Sequence, residues 1–361
     1  MSGGQHSSAV AREAPQSEGI ELVFGFVAPT GVDLGRVLES LKSQLKDVGY
    51  KTEVIRLSEL ITPYLYGSNV VFPSEYDRIR DLMEYGTTLR EATQTKDIVA
   101  RLGVAKLRAK RRSITGSDDK PAARTAYIVS SFKRPEEVEL FRQIYGKAFT
   151  LISVYSPKQS RINDLAKKLR SSIPIRREAN ERASQLIERD YEEEGRKLGQ
   201  RVGKTFPLAD YFLTLESKAA IDRDLSRLVR LTFGHPYISP TRVEQGMFFA
   251  QAAAFRSLDL SRQVGAAVVD QDGSVLATGC NEVPKFGGGL YWGEDEHVAR
   301  DYELGHDANV AAKAELWEDA VDRIKRENWL KPSLKRRATK DLVESSLLRS
   351  DGFMNNSLRL R

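Results

Sequence analysis

A single cysteine, Cys280, stands in 361 residues. One thiol excludes an internal disulfide framework and any site built from paired cysteines. Histidine is nearly as scarce: His6, His235, His297 and His306 are the four, and none has a glutamate two positions on. No apolar run approaches the roughly 20 residues that cross a bilayer. The opening MSGGQHSSAVAREAPQSEG carries no apolar signal core and reads as a disordered tail over residues 1–19. A cytoplasmic protein without membrane contact is the expectation.

What remains is ordinary globular material: 40% hydrophobic and 29% charged, in a chain long enough for two domains with cores of their own. The net charge is +6. Lys106, Arg108, Lys110, Arg111 and Arg112 form one basic cluster, and Lys331, Lys335, Arg336, Arg337 and Lys340 another. Such clusters suit nucleic acid, nucleotide phosphates or solvated helix faces. Both lie among acidic residues and lack interleaved aromatics for base stacking, which argues against nucleic acid.

Residues 20–234 read as one α/β domain, a mostly parallel sheet with helices on both faces. Glu21 to Val27 suits a buried first strand. Leu34, Val37, Leu38, Leu41, Leu45 and Val48 recur at helical spacing, with Asp33 to cap the start and Gly49 to end it. Lys51 to Arg56 reads as the next strand, which implies a right-handed parallel crossover. Further strands are expected at Ala123 to Ser130, Ala148 to Tyr155 and Tyr211 to Leu215. Helices are expected at Glu136 to Tyr145, from Pro157 through Leu169, and at Lys218 to Leu231. The charged segment from Ile175 to Val202 alternates Glu and Asp with Arg and reads as a salt-bridged, solvated helix pair.

This layout resembles a P-loop nucleotide kinase, with the loop APTGVDLGR where the phosphate loop would lie. Aligned on Gly31, the pattern G-x-x-x-x-G-K-[ST] meets Phe26 for its first glycine, Val32 for lysine and Asp33 for the hydroxyl. Gly31 alone survives as a cofactor-binding candidate, or serves only as a turn that lets strand and helix pack closely. Asp33 caps a helix well and repels phosphate, so a kinase-like fold without phosphoryl transfer is expected.

Residues 240–361 form the second expected domain. Thr241 to Leu258 reads as an amphipathic helix. Val264 to Val269 suits a buried strand and Val275 to Thr278 its hairpin partner, joined at Asp272-Gly273. The loop Lys285-Phe-Gly-Gly-Gly-Leu-Tyr-Trp permits close approach of backbone to a ligand, with Phe286, Tyr291 and Trp292 offering ring faces, or is a linker. A helical insertion over about 294–348 has Trp317 and Trp329 as anchors. Cys280 reads as a small buried hydrophobe. His297 and His306 stand near acidic residues at a spacing that matches no standard zinc pattern.

The stretches Arg262-Gln263-Val264-Gly265-Ala266 and Gly279-Cys280-Asn281 resemble the opening of zinc-dependent cytidine and deoxycytidylate deaminases. The longer form looks like the two-domain deoxycytidine-nucleotide deaminases of bacteria, some of which act against phage. The resemblance implies hydrolysis of a deoxycytidine nucleotide to the deoxyuridine nucleotide at a zinc ion, with Arg262, Gln263 and Asn281 holding sugar and phosphate. It also implies a His-x-Glu and a Pro-Cys-x-x-Cys. Neither is present, and the sequence reads as ending before them. No catalytic residue, metal ligand or bound zinc is therefore expected here, and the chain alone should be inactive. The other class is a non-catalytic regulatory module that binds a nucleotide or partner. A homo-oligomer is left open.

Overall fold

The computed structural model describes residues 19–296 and 299–344. It divides into two compact units, Met1–Pro236 and Tyr237–Arg361.

In the first unit the elements run β1 (Leu22–Val27), α1 (Leu34–Asp47), β2 (Lys51–Arg56), α2 (Ile61–Tyr66), α3 (Glu75–Thr93), α4 (Ile98–Thr115) and β3 (Thr125–Ser130). Then follow α5 (Pro135–Tyr145), β4 (Phe149–Tyr155), α6 (Lys158–Leu169), α7 (Arg176–Tyr191), α8 (Val202–Thr205), β5 (Tyr211–Thr214) and α9 (Lys218–Thr232). The five strands form one sheet in the order β2-β3-β1-β4-β5, every neighbouring pair parallel.

The alternation of side chains along a strand assigns each residue to a face. Val23 and Val27 of β1, Tyr127 and Val129 of β3 and Leu151 of β4 join Leu107 of α4 and Phe141 of α5 in one core. Phe24 and Phe26, Ile128 and Ile152 join Leu41 of α1 and Leu225 of α9 in the other. Three central strands buried on both faces read as continuous apolar runs, the signature of a parallel sheet covered on both sides. A third, smaller core lies away from the sheet, where Leu165 and Leu169 of α6 meet Ala183 and Leu186 of α7 and Met83 of α3.

α3 and α4 were not expected from the sequence, since the apolar residues of α3 are diluted by Arg, Asp and Glu and those of α4 by Arg and Lys. The expected helix pair between Ile175 and Val202 is instead one helix, α7, followed by an irregular turn and the short α8. Gly195, at φ +75°, breaks the helical pattern there.

The second unit begins with α10 (Arg242–Ala254), capped reciprocally by Thr241 and Glu244. It is one turn shorter than the spacing predicts. β6 (Gly265–Val269) and β7 (Val275–Cys280) pair antiparallel, with Gly273 at φ +91° in the turn. α10 packs against β6 at Gly265, where a Cβ would fall 1.9 Å from the carbonyl oxygen of Ala250. The hairpin is not the buried pair expected from its valines. Val264 and Val268 are more than half exposed, because only two strands are present among the described residues and α10 covers only part of them. Cys280 is half-buried. α11 (Asp301–Leu304), α12 (Ala308–Arg326), α13 (Pro332–Lys335) and α14 (Thr339–Glu344) follow. Trp317 packs with Val321 and Val343 as an anchor. Trp329 is 76% exposed and anchors nothing.

Candidate functional site

The loops that leave β1 and β4 run in opposite directions along the sheet, since β1 leads to β2 and β4 to β5. Such a reversal opens a crevice beyond the carboxyl ends of the strands, where open parallel sheets bind ligands. Here the crevice is built from residues 28–33 after β1, residues 131–134 after β3 and the start of α6. Gly31, at φ +93°, leaves no room for a side chain: a Cβ would lie 2.7 Å from the carbonyl oxygen of Arg161. Arg161 donates from Nη1 to the carbonyl of Thr30 at 3.3 Å and from Nε to that of Ser156 at 3.1 Å. Burial lowers the pKa of its guanidinium from the ordinary value.

A carboxylate sits in this loop. The backbone N–H of Thr30 donates to Oδ2 of Asp190 at 2.6 Å, and Lys133 Nζ donates to Oδ1 of the same carboxylate at 2.7 Å. Asp190 comes from the last turn of α7 and is fully buried. Asp33 is occupied otherwise, capping α1 by accepting from the N–H of Gly35 at 3.2 Å.

Beside the pair lies a cavity of about 150 Å³, lined by Ser58, Arg78, Arg90, Ser131, Lys133 and Gln200 among others. Ser131 holds a φ of +74°. A non-glycine residue in this region stores on the order of 1 kcal/mol of strain and marks places where backbone geometry is imposed by its surroundings. Arg90 Nε and Gln200 Oε1 are buried and have no hydrogen-bond partner among the described residues. Arg90 otherwise pairs with Glu137, Nη2 to Oε1 at 3.1 Å, both groups almost fully buried. The second oxygen of Glu137 accepts from the backbone N–H groups of Lys133, at 2.7 Å, and Arg134, at 3.2 Å. That contact fixes the residues 131–134 turn from behind.

The outer wall is held by Arg196, which donates to Glu84 at 2.5 Å and to Glu91 at 2.5 and 3.0 Å. Hydrogen bonding to Arg196 keeps both carboxyls below their ordinary value of 4.5. A depressed carboxyl stabilises the fold above its unfolded-state pKa, and the contribution fades as pH falls through the folded-state value. The stability gap between the parent and Arg196→Gln should therefore be constant above pH 4.5 and shrink steadily below it. Urea unfolding at a series of pH values measures this, and a gap that does not change with pH contradicts it.

The sequence pointed elsewhere, to Arg262, Gln263 and Asn281. The structure does bring them together, at the base of the β6–β7 hairpin, but as a backbone clasp. Asn281 Oδ1 accepts from the N–H of Val264 at 2.6 Å and from Ser257 Oγ at 2.9 Å, and its Nδ2 donates to the carbonyl of Arg262 at 2.7 Å. Gln263 donates to the carbonyl of Asp259 at 2.6 Å, and the N–H of Arg262 to the carboxylate of Asp259 at 3.2 Å. Of the rings beside the triple glycine, Trp292 carries the Arg256 guanidinium 3.5 Å from its centroid, and Phe286 is fully exposed. His306 Nδ1 lies 3.2 Å from the carbonyl oxygen of Leu304. His297 falls outside the described residues. Among the described residues no group of three or more His, Cys, Asp or Glu is placed to hold a metal, and no helix is long and apolar enough to cross a membrane.

No known family profile matches the sequence. Over 160 residues the chain is 28% identical to a UPF0200 protein of Saccharolobus islandicus, a match that covers 42% of this chain and 73% of that one. Over 136 residues it is 29% identical to a UPF0200 protein of Saccharolobus solfataricus, covering 38% of this chain and 60% of the relative. Among solved structures it is similar to a shikimate kinase from Bacteroides thetaiotaomicron, with a TM-score of 0.35, 10% identity, and coverage of 58% of this chain and 97% of the other. A gluconokinase from Sinorhizobium meliloti 1021 gives a TM-score of 0.26 and 11% identity, over 61% of this chain and 99% of the other.

The sequence relatives are UPF0200 proteins and not zinc deaminases, and they overturn the deaminase expectation. With it go the hydrolase activity, the zinc chemistry, the anti-phage role and the deoxycytidine-nucleotide substrate. The misleading signal was local. A short hairpin with an asparagine at its base satisfies the quoted residues through its own backbone hydrogen bonds.

Asp190, Lys133, Arg90 and Gln200 were not anticipated. Asp190 and Gln200 lay inside the charged run taken for solvated helices. Lys133 had a usable signal, as a cation between the end of a buried strand and a proline-started helix, on the ligand-binding edge of a parallel sheet.

Proposed function

We propose that the Met1–Pro236 unit binds a compact anion carrying a hydroxyl or amide donor, in the cavity at the carboxyl edge of its sheet. The observation that carries this reading is the pair of partnerless polar atoms there, Arg90 Nε and Gln200 Oε1. A buried polar atom without a partner costs on the order of 1–3 kcal/mol. A ligand that offers an acceptor to Arg90 and a donor to Gln200 removes both penalties. Lys133 and Arg78 also line the cavity, each already paired with a carboxylate, Lys133 with Asp190 and Arg78 with Glu75 at 2.7 and 2.8 Å. The cavity is open on one side and about 150 Å³ in volume, enough for a small head group.

Titration calorimetry on the full chain tests this with phosphorylated polyols and hydroxycarboxylates, beside matched anions that lack the hydroxyl. Gln200→Met should weaken the hydroxylated anions by about 10-fold, the loss of one hydrogen bond. Its unfolding free energy should change little, because the unsatisfied oxygen goes together with the long 3.3 Å donation of Nε2 to the Met83 carbonyl. Parent-like binding by Gln200→Met, or no binding of any anion in the panel, would sink the proposal.

A further inference from the structure

The loop after β1 has the features of an anion seat: a free-standing peptide N–H at Thr30, an ammonium at Lys133, and a glycine whose missing side chain lets α6 close in. In this structure the seat is filled by the protein itself. Asp190 reaches it from α7, takes the Thr30 N–H on one oxygen and the Lys133 ammonium on the other, and is sealed from solvent. We propose that Asp190 is an internal competitor, a carboxylate that occupies this seat until a phosphoryl group displaces it. Lys133 also lines the cavity of the preceding section, so the inference rests on that reading for the identity of the full ligand, though not for the seat.

Three features make the contact displaceable. The carboxylate and a phosphoryl group use the same donors, since both take N–H and ammonium hydrogens in short charge-assisted bonds. α7 belongs to the small core formed with α6 and Met83, not to either core of the sheet. Moving its last turn therefore leaves the sheet packed. The chain beyond Tyr191 is tied back by Arg189 and Arg196 to Glu84 and Glu91, bridges that are part-exposed at every partner but Glu193, and part-exposed pairs are individually weak. A purely structural ion pair would look alike in a static view, but it makes the opposite prediction for phosphate.

The probe is inorganic phosphate, titrated into the full chain and followed by calorimetry and thermal unfolding. An internal competitor lowers apparent affinity by the fraction of molecules in which the seat is open. Asp190→Asn, which keeps the size and removes the charge, should therefore bind phosphate at least about 10-fold more tightly than the parent. Lys133→Met placed on that background should abolish the gain. Arg142→Gln on the same background, whose side chain is bound to Leu208 and Asp210, should leave it intact, and the hydroxylated anions with Gln200→Met test the cavity on their own, so the seat and the cavity can fail separately. An Asp190→Asn protein that binds phosphate no better than the parent, or a gain that survives Lys133→Met, overturns the proposal. If Asp190→Asn does not fold, hydrogen exchange on the parent decides. Saturating phosphate should leave Thr30 protected, since its N–H passes from one acceptor to the other, and speed exchange across residues 186–196; no change across 186–196 overturns the proposal.

Discussion

Glu137→Ala should destabilise the sheet-bearing unit by about 3–5 kcal/mol, the usual cost of removing one partner from a buried ion pair. Three donors converge on this carboxylate: the Arg90 guanidinium and the N–H groups of Lys133 and Arg134. Arg90 and Arg134 are almost fully buried, so Glu137 is their main means of satisfaction at this point. Arg90 would keep only a long contact, 3.4 Å, to the carbonyl of Leu198, and its Nε already has no partner. Glu137→Gln should cost less, since its amide oxygen can still accept from the turn. Equilibrium urea unfolding gives the number, and a change in midpoint at constant slope would mark it as a native-state loss. A loss below about 1 kcal/mol would show that the pair is replaceable by solvent. The matching control is Arg142→Gln, whose bridge to Asp210 is part-exposed on both sides and should matter little.

Phe141→Ala should cost a similar amount, about 3–5 kcal/mol, by a different route. This ring is fully buried in the α4–α5 face of the sheet. It stands edge-on to Phe132 at 5.0 Å between centroids, with Phe149 at 5.5 Å and Tyr145 at 5.4 Å. α4 passes close above, and a Cβ on Gly103 would lie 3.5 Å from the ring. Neighbours locked in this way cannot collapse into the space, so the lost transfer energy and the cavity add. Calorimetric unfolding of the full chain should show the transition of this unit moving down by several degrees. Phe212→Ala is the comparison, because that ring is more than half exposed and lies on the edge strand β5.

The sheet was legible because its central strands are bounded by Gly and Pro and its first helix carries an unbroken 3.6-residue stripe. Val37, Leu38, Leu41 and Leu45 are buried core residues of α1, Leu34 packs part-buried beside them, Val48 at the end of the stripe is exposed, and Asp33 caps the helix as expected. α3 and α4 were missed for the converse reason. Their core positions include Gly86, Thr87, Arg90 and Gly103, residue types that periodicity does not count as apolar. The site was illegible for a related reason. Its parts, Thr30, Arg90, Lys133, Asp190 and Gln200, come from five separate segments, and none is adjacent to another in a recognisable spacing. Burial turns an unremarkable Asp or Gln into a site residue, and burial of a charged residue is a tertiary fact. The residues that did form a pattern, Arg262, Gln263 and Asn281, stand together at a hairpin base, where Asn281 and Gln263 and the Arg262 backbone hydrogen-bond locally.

The strand order has a consequence for how the chain is made. β1 has no sheet partner nearby in sequence: Leu22 pairs with Ala126 on one edge, and Val23 with Phe149 on the other. β2 likewise waits for β3. On a ribosome adding residues in order, Val23, Phe24, Phe26 and Val27 emerge early and have no strand to join until the chain has grown past residue 126. Ladders closed over such distances form slowly compared with hairpins. During that interval the nascent chain can offer β1 helices for its two faces, α1 on one and α4 on the other, but no strand for either edge. This is the kind of exposed segment that holdase chaperones bind and that aggregates when synthesis outruns folding.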